Sequence, residues 1–233
     1  NTGVTTSTVL SCNVSASDVD GGTPTIAYDW TVNGNSLGSA MQLTLSPSMV
    51  SPSDSITCTA IVSDADGGSA TGTAVVTVEN TLPVFTANAS ITPGTNVVTG
   101  TVLTCSAVAT DIDDGSATVS YAWTNGGNSV GSGQSLTVTS SNSDVGDTLT
   151  CEVTATDIDG GNTTSNDSVV VENTAPSISS AAITPNSGIT SSSVLNCSAL
   201  ANDDDGEAVT LSYNWTNQTQ ASSLGTGGTL ILT

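Results

Sequence analysis

The chain of 233 residues contains no lysine, no arginine and no histidine, against 21 aspartates and glutamates. Without cations it cannot follow a phosphate backbone, which excludes nucleic acid as a partner. None of its carboxylates can find a salt-bridge partner within the chain either. No apolar run approaches a membrane span, and no signal peptide is visible; any leader or anchor is expected outside this stretch, or already removed. Prolines are few, and the acid is dispersed among Val, Thr, Ser, Gly and Asn. That composition reads as a folded all-β chain and not as a solvating acidic tail.

What is present is one sentence repeated five times. In the clearest copy, Leu149, Cys151, Val153 and Ala155 occupy alternate positions, followed in the same phase by Asp157 and Asp159. Alternation of this kind is the mark of a half-buried strand. At its end the apolar face becomes a pair of carboxylates. The other copies run from Leu10 to Asp18 and Asp20, from Ile56 to Asp64 and Asp66, from Leu103 to Asp111 and Asp113, and from Leu195 to Asp203 and Asp205.

The five cysteines sit at matching inward positions of these strands, which points to disulfides and an oxidising compartment. Cys12 to Cys58 and Cys105 to Cys151 are each 46 residues apart, while Cys12 to Cys105 is 93 and Cys105 to Cys197 is 92. A period near 93 implies tandem small domains, each with one internal cysteine pair. Trp30, Trp123 and Trp215 each follow the first cysteine of a repeat by 18 residues. Val78-Glu79-Asn80-Thr81-Leu82-Pro83 and Val171-Glu172-Asn173-Thr174-Ala175-Pro176 are the linkers, since proline stops strand pairing there. The expected boundaries are residues 1–79, lacking a first strand; 80–172, complete; and 173–233, lacking the last strands and leaving Cys197 without a partner. An array that starts and stops within a repeat is expected to be part of a longer chain, with neighbouring repeats as its first partners.

Cys…Trp…Cys at this spacing, in a domain of short alternating strands, resembles the immunoglobulin fold. The resemblance implies an all-β architecture of tandem immunoglobulin-like β-sandwich repeats, with the first cysteine on strand B, the tryptophan on C and the second cysteine on F. Asp54 and Asp147 match the aspartate that caps the E–F turn in that family. Its corner tyrosine is replaced by Ile56 and Leu149. The linkers and Asp-x-Asp-Gly endings also resemble the Ig-like and PKD-like repeats of large bacterial surface proteins. The WDFGDG hallmark of PKD domains is absent.

On that fold strands B and F end at the same pole, where the linker from the preceding repeat also arrives. Asp18, Asp20, Asp64 and Asp66 are expected to gather in repeat 1. Asp111, Asp113, Asp157 and Asp159 gather in repeat 2, approached by Glu79. Asp203 and Asp205 gather in repeat 3, approached by Glu172. Two carboxylates about 5 Å apart repel by roughly 3 kcal/mol at an effective dielectric near 20. With no basic side chain to offset this, a bound cation is expected. Oxygen-only ligands suit calcium better than zinc. The constellation is similar to cadherin joints, where linker and loop acids bind calcium, although cadherin domains lack this cysteine pair. Asp-x-Asp-Gly-Gly is also good turn chemistry, and acidic loops at the end of a sandwich can be merely solvated.

The function expected from these observations is mechanical. The chain reads as a structural segment of an extracellular fibre, stalk or giant adhesin at a cell surface, stiffened by calcium. Assembly into a homopolymer or filament is compatible with the incomplete end repeats. The alternatives are a calcium-dependent module binding surface glycans or proteins, and an accessory stalk on a secreted enzyme. Paired acids can hydrolyse glycosides, but a pair repeated in every domain reads as scaffolding, so no catalysis is expected of this segment.

Overall fold

The computed structural model describes residues 2–233, and among them every regular element is a β-strand. Repeat 1 contains β1 (Val9–Ser11), β2 (Thr25–Val32), β3 (Asn35–Gly38), β4 (Gln42–Thr44), β5 (Ser55–Ser63) and β6 (Ser69–Thr77). Its sheets are β1-β4 and β3-β2-β5-β6, antiparallel throughout. Repeat 2 contains β7 (Val84–Thr92), β8 (Val102–Thr110), β9 (Thr118–Asn125), β10 (Asn128–Ser132), β11 (Ser135–Thr137), β12 (Thr148–Thr156) and β13 (Asn162–Val170). Here the sheet orders are β11-β8-β7 and β10-β9-β12-β13. Repeat 3 contains β14 (Ser177–Thr184), β15 (Val194–Asn202), β16 (Asn214–Asn217), β17 (Ser222–Thr226) and β18 (Thr229–Ile231), ordered β14-β15-β18 and β16-β17.

The alternation in sequence becomes alternation in burial. On β12, Leu149, Cys151, Val153 and Ala155 are completely buried, whereas Glu152 between them is exposed. Each large apolar side chain so enclosed contributes about 1.5–3 kcal/mol. The disulfides Cys12–Cys58 and Cys105–Cys151 join the two sheets within repeats 1 and 2, with Cα–Cα distances of 6.3 and 6.5 Å. Cys197 is free and half-buried. Trp30, Trp123 and Trp215 are buried, and each indole N–H donates to a backbone carbonyl, of Ala40, Gly133 and Gly227 respectively. Ile56 and Leu149 fill the core where a corner tyrosine would otherwise stand. Paired antiparallel sheets, an inter-sheet disulfide and a buried tryptophan on the next strand make these immunoglobulin-like sandwiches, repeated about every 93 residues.

By packing, the chain divides into two compact units. One comprises Asn1–Ser90, Ser106–Tyr121 and Glu152–Asn166; the other comprises Ile91–Cys105, Ala122–Cys151 and Asp167–Thr233. Each contains one of the linkers together with the aspartate loops that the linker meets.

Two strands are shorter than their sequence pattern implies. The Leu10-Cys12-Val14-Ala16 alternation matches that of β8, yet β1 ends at Ser11. Among the described residues β8 lies between β11 and β7, while β1 pairs with β4 alone. Likewise, among those residues, β16 covers four residues where β9 covers eight, and it pairs only with β17. An apolar alternation becomes a long strand only when a second chain segment takes up its backbone hydrogen bonds.

Candidate cation site

The Asp-x-Asp-Gly motifs turn the chain sharply at the ends of the long strands. In repeat 2, Asp111 Oδ1 accepts from the N–H groups of Asp113 at 2.7 Å and Asp114 at 3.3 Å. Asp157 Oδ1 accepts from Gly161 N–H at 2.7 Å, while the Asp157 N–H donates to the Gly161 carbonyl. Gly160, at φ +89°, supplies the left-handed residue this turn requires. Asp64 in repeat 1 holds Asp66 N–H and Gly68 N–H in the same way.

Because the chain turns at the first aspartate, inward phase does not persist through the motif. Asp111, Asp113, Asp157 and Asp205 are buried; Asp18, Asp64 and Asp203 are half-buried; Asp20, Asp66 and Asp159 are exposed. The expectation that both members of every pair face the core is therefore corrected for those last three. Glu79 and Glu172 are exposed and serve their own repeats, their carboxylates accepting from Gly3 N–H and Asn96 N–H. Asp54 and Asp147 cap turns: Ser51 N–H and Asn33 donate to the first, Asp144 N–H and Asn125 to the second.

Three of the buried carboxylates, Asp113, Asp157 and Asp205, are met by neutral donors from another repeat or from the linker. Asp113 Oδ2 accepts from Thr81 N–H at 2.7 Å and from the Thr81 hydroxyl at 2.6 Å. Asp113 Oδ1 accepts from the hydroxyl of Thr6, a completely buried repeat-1 residue. Asp157 Oδ2 accepts from the Asn80 side-chain amide at 3.0 Å. In the second unit, Asp205 Oδ2 accepts from Thr174 N–H and from its hydroxyl, both at 2.6 Å. Thr174 and Thr81 are equivalent residues of the two linkers.

These bonds decide the charge state. Burial pushes the Asp113 carboxyl up, but the hydroxyls of Thr6 and Thr81 and the Thr81 N–H together bring it below the ordinary carboxylate range. Asp205 is lowered chiefly by the Thr174 hydroxyl, then by the Thr174 N–H, with Thr99 adding to it against burial. Thr99 stands 93 residues after Thr6 and lies near Asp205, but unlike Thr6 on Asp113 it closes no hydrogen bond on Asp205 Oδ1. The inference that only a cation could offset these carboxylates was incomplete, since threonine hydroxyls and backbone N–H groups already do much of it. Sequence reading passed over Thr6, Thr81, Thr99 and Thr174, although their recurrence at the repeat period was available as a signal.

A residue of uncompensated charge remains. Asp114 is pushed up by desolvation and by the carboxylates of Asp159, Asp111, Asp113 and Asp157, which places all five in one electrostatic neighbourhood. Asp111 Oδ2 and Asn80 Oδ1 are buried without a hydrogen-bond donor, and so is Asp205 Oδ1 in the second unit. Buried oxygens of this kind normally have a partner. Among the described residues no three acidic side chains converge closely enough to hold a metal by themselves. A hard cation drawing on Asn80 and Asp111 as well as an outer carboxylate fits the chemistry of the oxygens present.

No protein-family model matches the chain, and no curated protein does. Among solved structures, three N-terminal domains of the bacteriophage RB49 highly immunogenic outer capsid protein are 16% identical, covering 96% of this chain and 76% of that one, at a TM-score of 0.30. Extracellular domains 3–5 of Drosophila OTK are 14% identical over 97% of this chain and 80% of theirs, at 0.28. A Bacteroides ovatus mixed-linkage glucan utilization protein, SGBP-B, solved with a heptasaccharide, is 14% identical over 99% of this chain and 64% of its own, at 0.24. Similarity this slight assigns neither a partner nor an activity. No helix among the described residues is long and apolar enough to cross a membrane.

Proposed function

We propose that this chain is a structural segment of an extracellular fibre, stalk or giant adhesin at a bacterial cell surface, its joints stiffened by calcium. The observation that carries the reading is the doubly donating threonine of each linker, Thr81 on Asp113 and Thr174 on Asp205. A linker that gives both its N–H and its hydroxyl to a buried carboxylate cannot rotate freely about that point. Repeating the device at every joint suits an array whose task is to hold spacing, and a surface without lysine or arginine also withholds every tryptic site. The two disulfides support an oxidising setting outside the cell.

Calcium enters through the oxygens that lack donors. Asn80, Asp111, Asp157 and Asp159 would hold the ion at the first joint, with Asp203 and Asp205 at the second. There it would supply positive charge between carboxylates of different loops, so that opening the joint would separate opposite charges. The test is a thermal melt and a small-angle scattering profile of the whole chain, with calcium and with EGTA. The reading expects a higher Tm and a narrower distribution of particle lengths with calcium. An unmoved melt together with an unchanged length distribution would remove calcium from it.

A further inference from the structure

The five aspartate loops are alike except at one position of the first joint. In four of them the second aspartate is followed by glycine, and Gly21, Gly67, Gly160 and Gly206 all have φ between +85° and +95°. After Asp113 stands Asp114 instead, and the left-handed residue moves one place on, to Gly115 at φ +78°. The closing hydrogen bond moves with it. Gly21 N–H and Gly206 N–H reach back three residues, to the carbonyls of Asp18 and Asp203, at 3.4 and 3.2 Å. Gly115 N–H reaches back four, to the carbonyl of Asp111, at 2.8 Å. The turn after β8 is therefore wider by one residue, and the residue it takes in carries a carboxylate.

The other oxygens of this joint divide into those with donors and those without. Both oxygens of Asp113 are taken by Thr6 and Thr81, and both of Asp157 by Gly161 N–H and the Asn80 amide. Asp111 is 4% exposed; its Oδ1 accepts two N–H groups, one of them from Asp114, and its Oδ2 is buried with no donor. Asn80 Oδ1 is buried in the same condition. Consecutive linker residues hold the two loops together here, Asn80 on Asp157 and Thr81 on Asp113. Asp114 is exposed at the rim, where desolvation and the carboxylates of Asp159, Asp111, Asp113 and Asp157 push its own carboxyl up. Among the described residues no three acidic side chains converge as they stand, so a cation here needs a ligand that can move.

We propose that Asp114 is that ligand: it closes over a calcium ion seated on Asp111 Oδ2 and Asn80 Oδ1, and it sets the affinity of the first joint. This assignment rests on calcium occupying the joint, as proposed above. Asp114 stands on a turn in solvent, so its side chain can swing inward without disturbing a strand. These oxygens all belong to repeat 2 and its linker, whereas Thr6 latches repeat 1 separately, through Asp113. Calcium affinity follows the number of charged ligands and the rigidity of the site, and position 114 decides one of those charges.

The test titrates calcium calorimetrically into the whole chain and into Asp114→Asn, Asp114→Gly and Glu152→Gln. Asp114→Asn keeps the shape of the side chain, and Asp114→Gly reproduces the Asp-Ile-Asp-Gly-Gly of the loop after β12. Both should bind calcium about tenfold more weakly or worse. Glu152→Gln removes the same charge from an exposed position on β12 and should stay within about twofold. In EGTA, Asp114→Asn should melt no lower than wild type, since it takes one carboxylate away from four others. Equal affinity in wild type and both Asp114 variants would overturn the assignment while leaving calcium at the joint. So would a loss in Glu152→Gln as large as theirs, or a lower melt of Asp114→Asn in EGTA, which would make the residue structural. A wild type that binds no calcium would overturn this assignment and the calcium reading together.

Discussion

Thr81 donates twice to one oxygen of Asp113, through its backbone N–H and its hydroxyl, at 2.7 and 2.6 Å. The pair joins a linker to the loop that follows β8, and Thr6 completes it from repeat 1. An anion with three donors can stay buried without a counter-cation. Most of the behaviour expected of this chain depends on that arrangement.

Thr81→Val keeps the size and the N–H but removes the hydroxyl. The variant should lose about 1–3 kcal/mol of stability at the joint, because a buried carboxylate gives up one charge-assisted bond. Asn80 and Leu82 should become more accessible at the same time, while the repeat-1 core around Trp30 stays intact. Hydrogen exchange resolved by peptide separates the two regions.

Acid should open the joints before it opens the cores. The carboxyls of Asp113 and Asp205 are lowered in the fold, so their contribution to stability is complete above the unfolded value. It is lost as pH falls through the lowered folded values, that is, below about pH 4. Asp147, lowered by Asp144 N–H and Asn125, follows the same course. Asp114 has the opposite sign: its raised carboxyl makes stability fall as pH rises through its value. Melts from pH 2 to 7 on wild type and Asp113→Asn should show the acid limb flattened in the variant.

Calcium and Asp111→Asn form a pair of measurements. Without the ion, asparagine should be tolerated or mildly stabilising, since it replaces a buried anionic oxygen that has no donor. With calcium the wild type should gain, by about 2.7 kcal/mol at a hundred times Kd, and the variant should not. A wild type that gains nothing while Asp111→Asn melts higher would remove calcium from these oxygens.

Gly161→Ala tests the seat of the linker. A Cβ there would lie 2.6 Å from the Asn80 amide nitrogen and 2.9 Å from Leu82, besides meeting Asp157. Displacement of Asn80 and loss of its bond to Asp157 are expected, with an earlier melt. The equivalent change in repeat 1, Gly68→Ala, has its three nearest contacts in the flexible Asp64 side chain, with no linker residue among them, and should be milder.

Replacing Cys105 and Cys151 together by serine releases a 46-residue loop. Chain entropy alone puts the cost at about 4 kcal/mol. Because Trp123 and Leu149 lose their clamp with it, near-ultraviolet circular dichroism should report unfolding of repeat 2 at lower denaturant than for the native chain.

Strand phase, cysteine pairing and repeat length were legible in the residues alone. Side chains alternate across a strand, so Leu149, Cys151, Val153 and Ala155 had to share a face, and the recurrence of Cys and Trp carried that face from repeat to repeat. Tertiary structure decided what neutralises the aspartates. Thr6 meets Asp113 from 107 residues away, and no local pattern states which loop a linker will touch. It also decided which aspartates are buried, since the turn after Asp157 carries Asp159 out to solvent although the two are in phase.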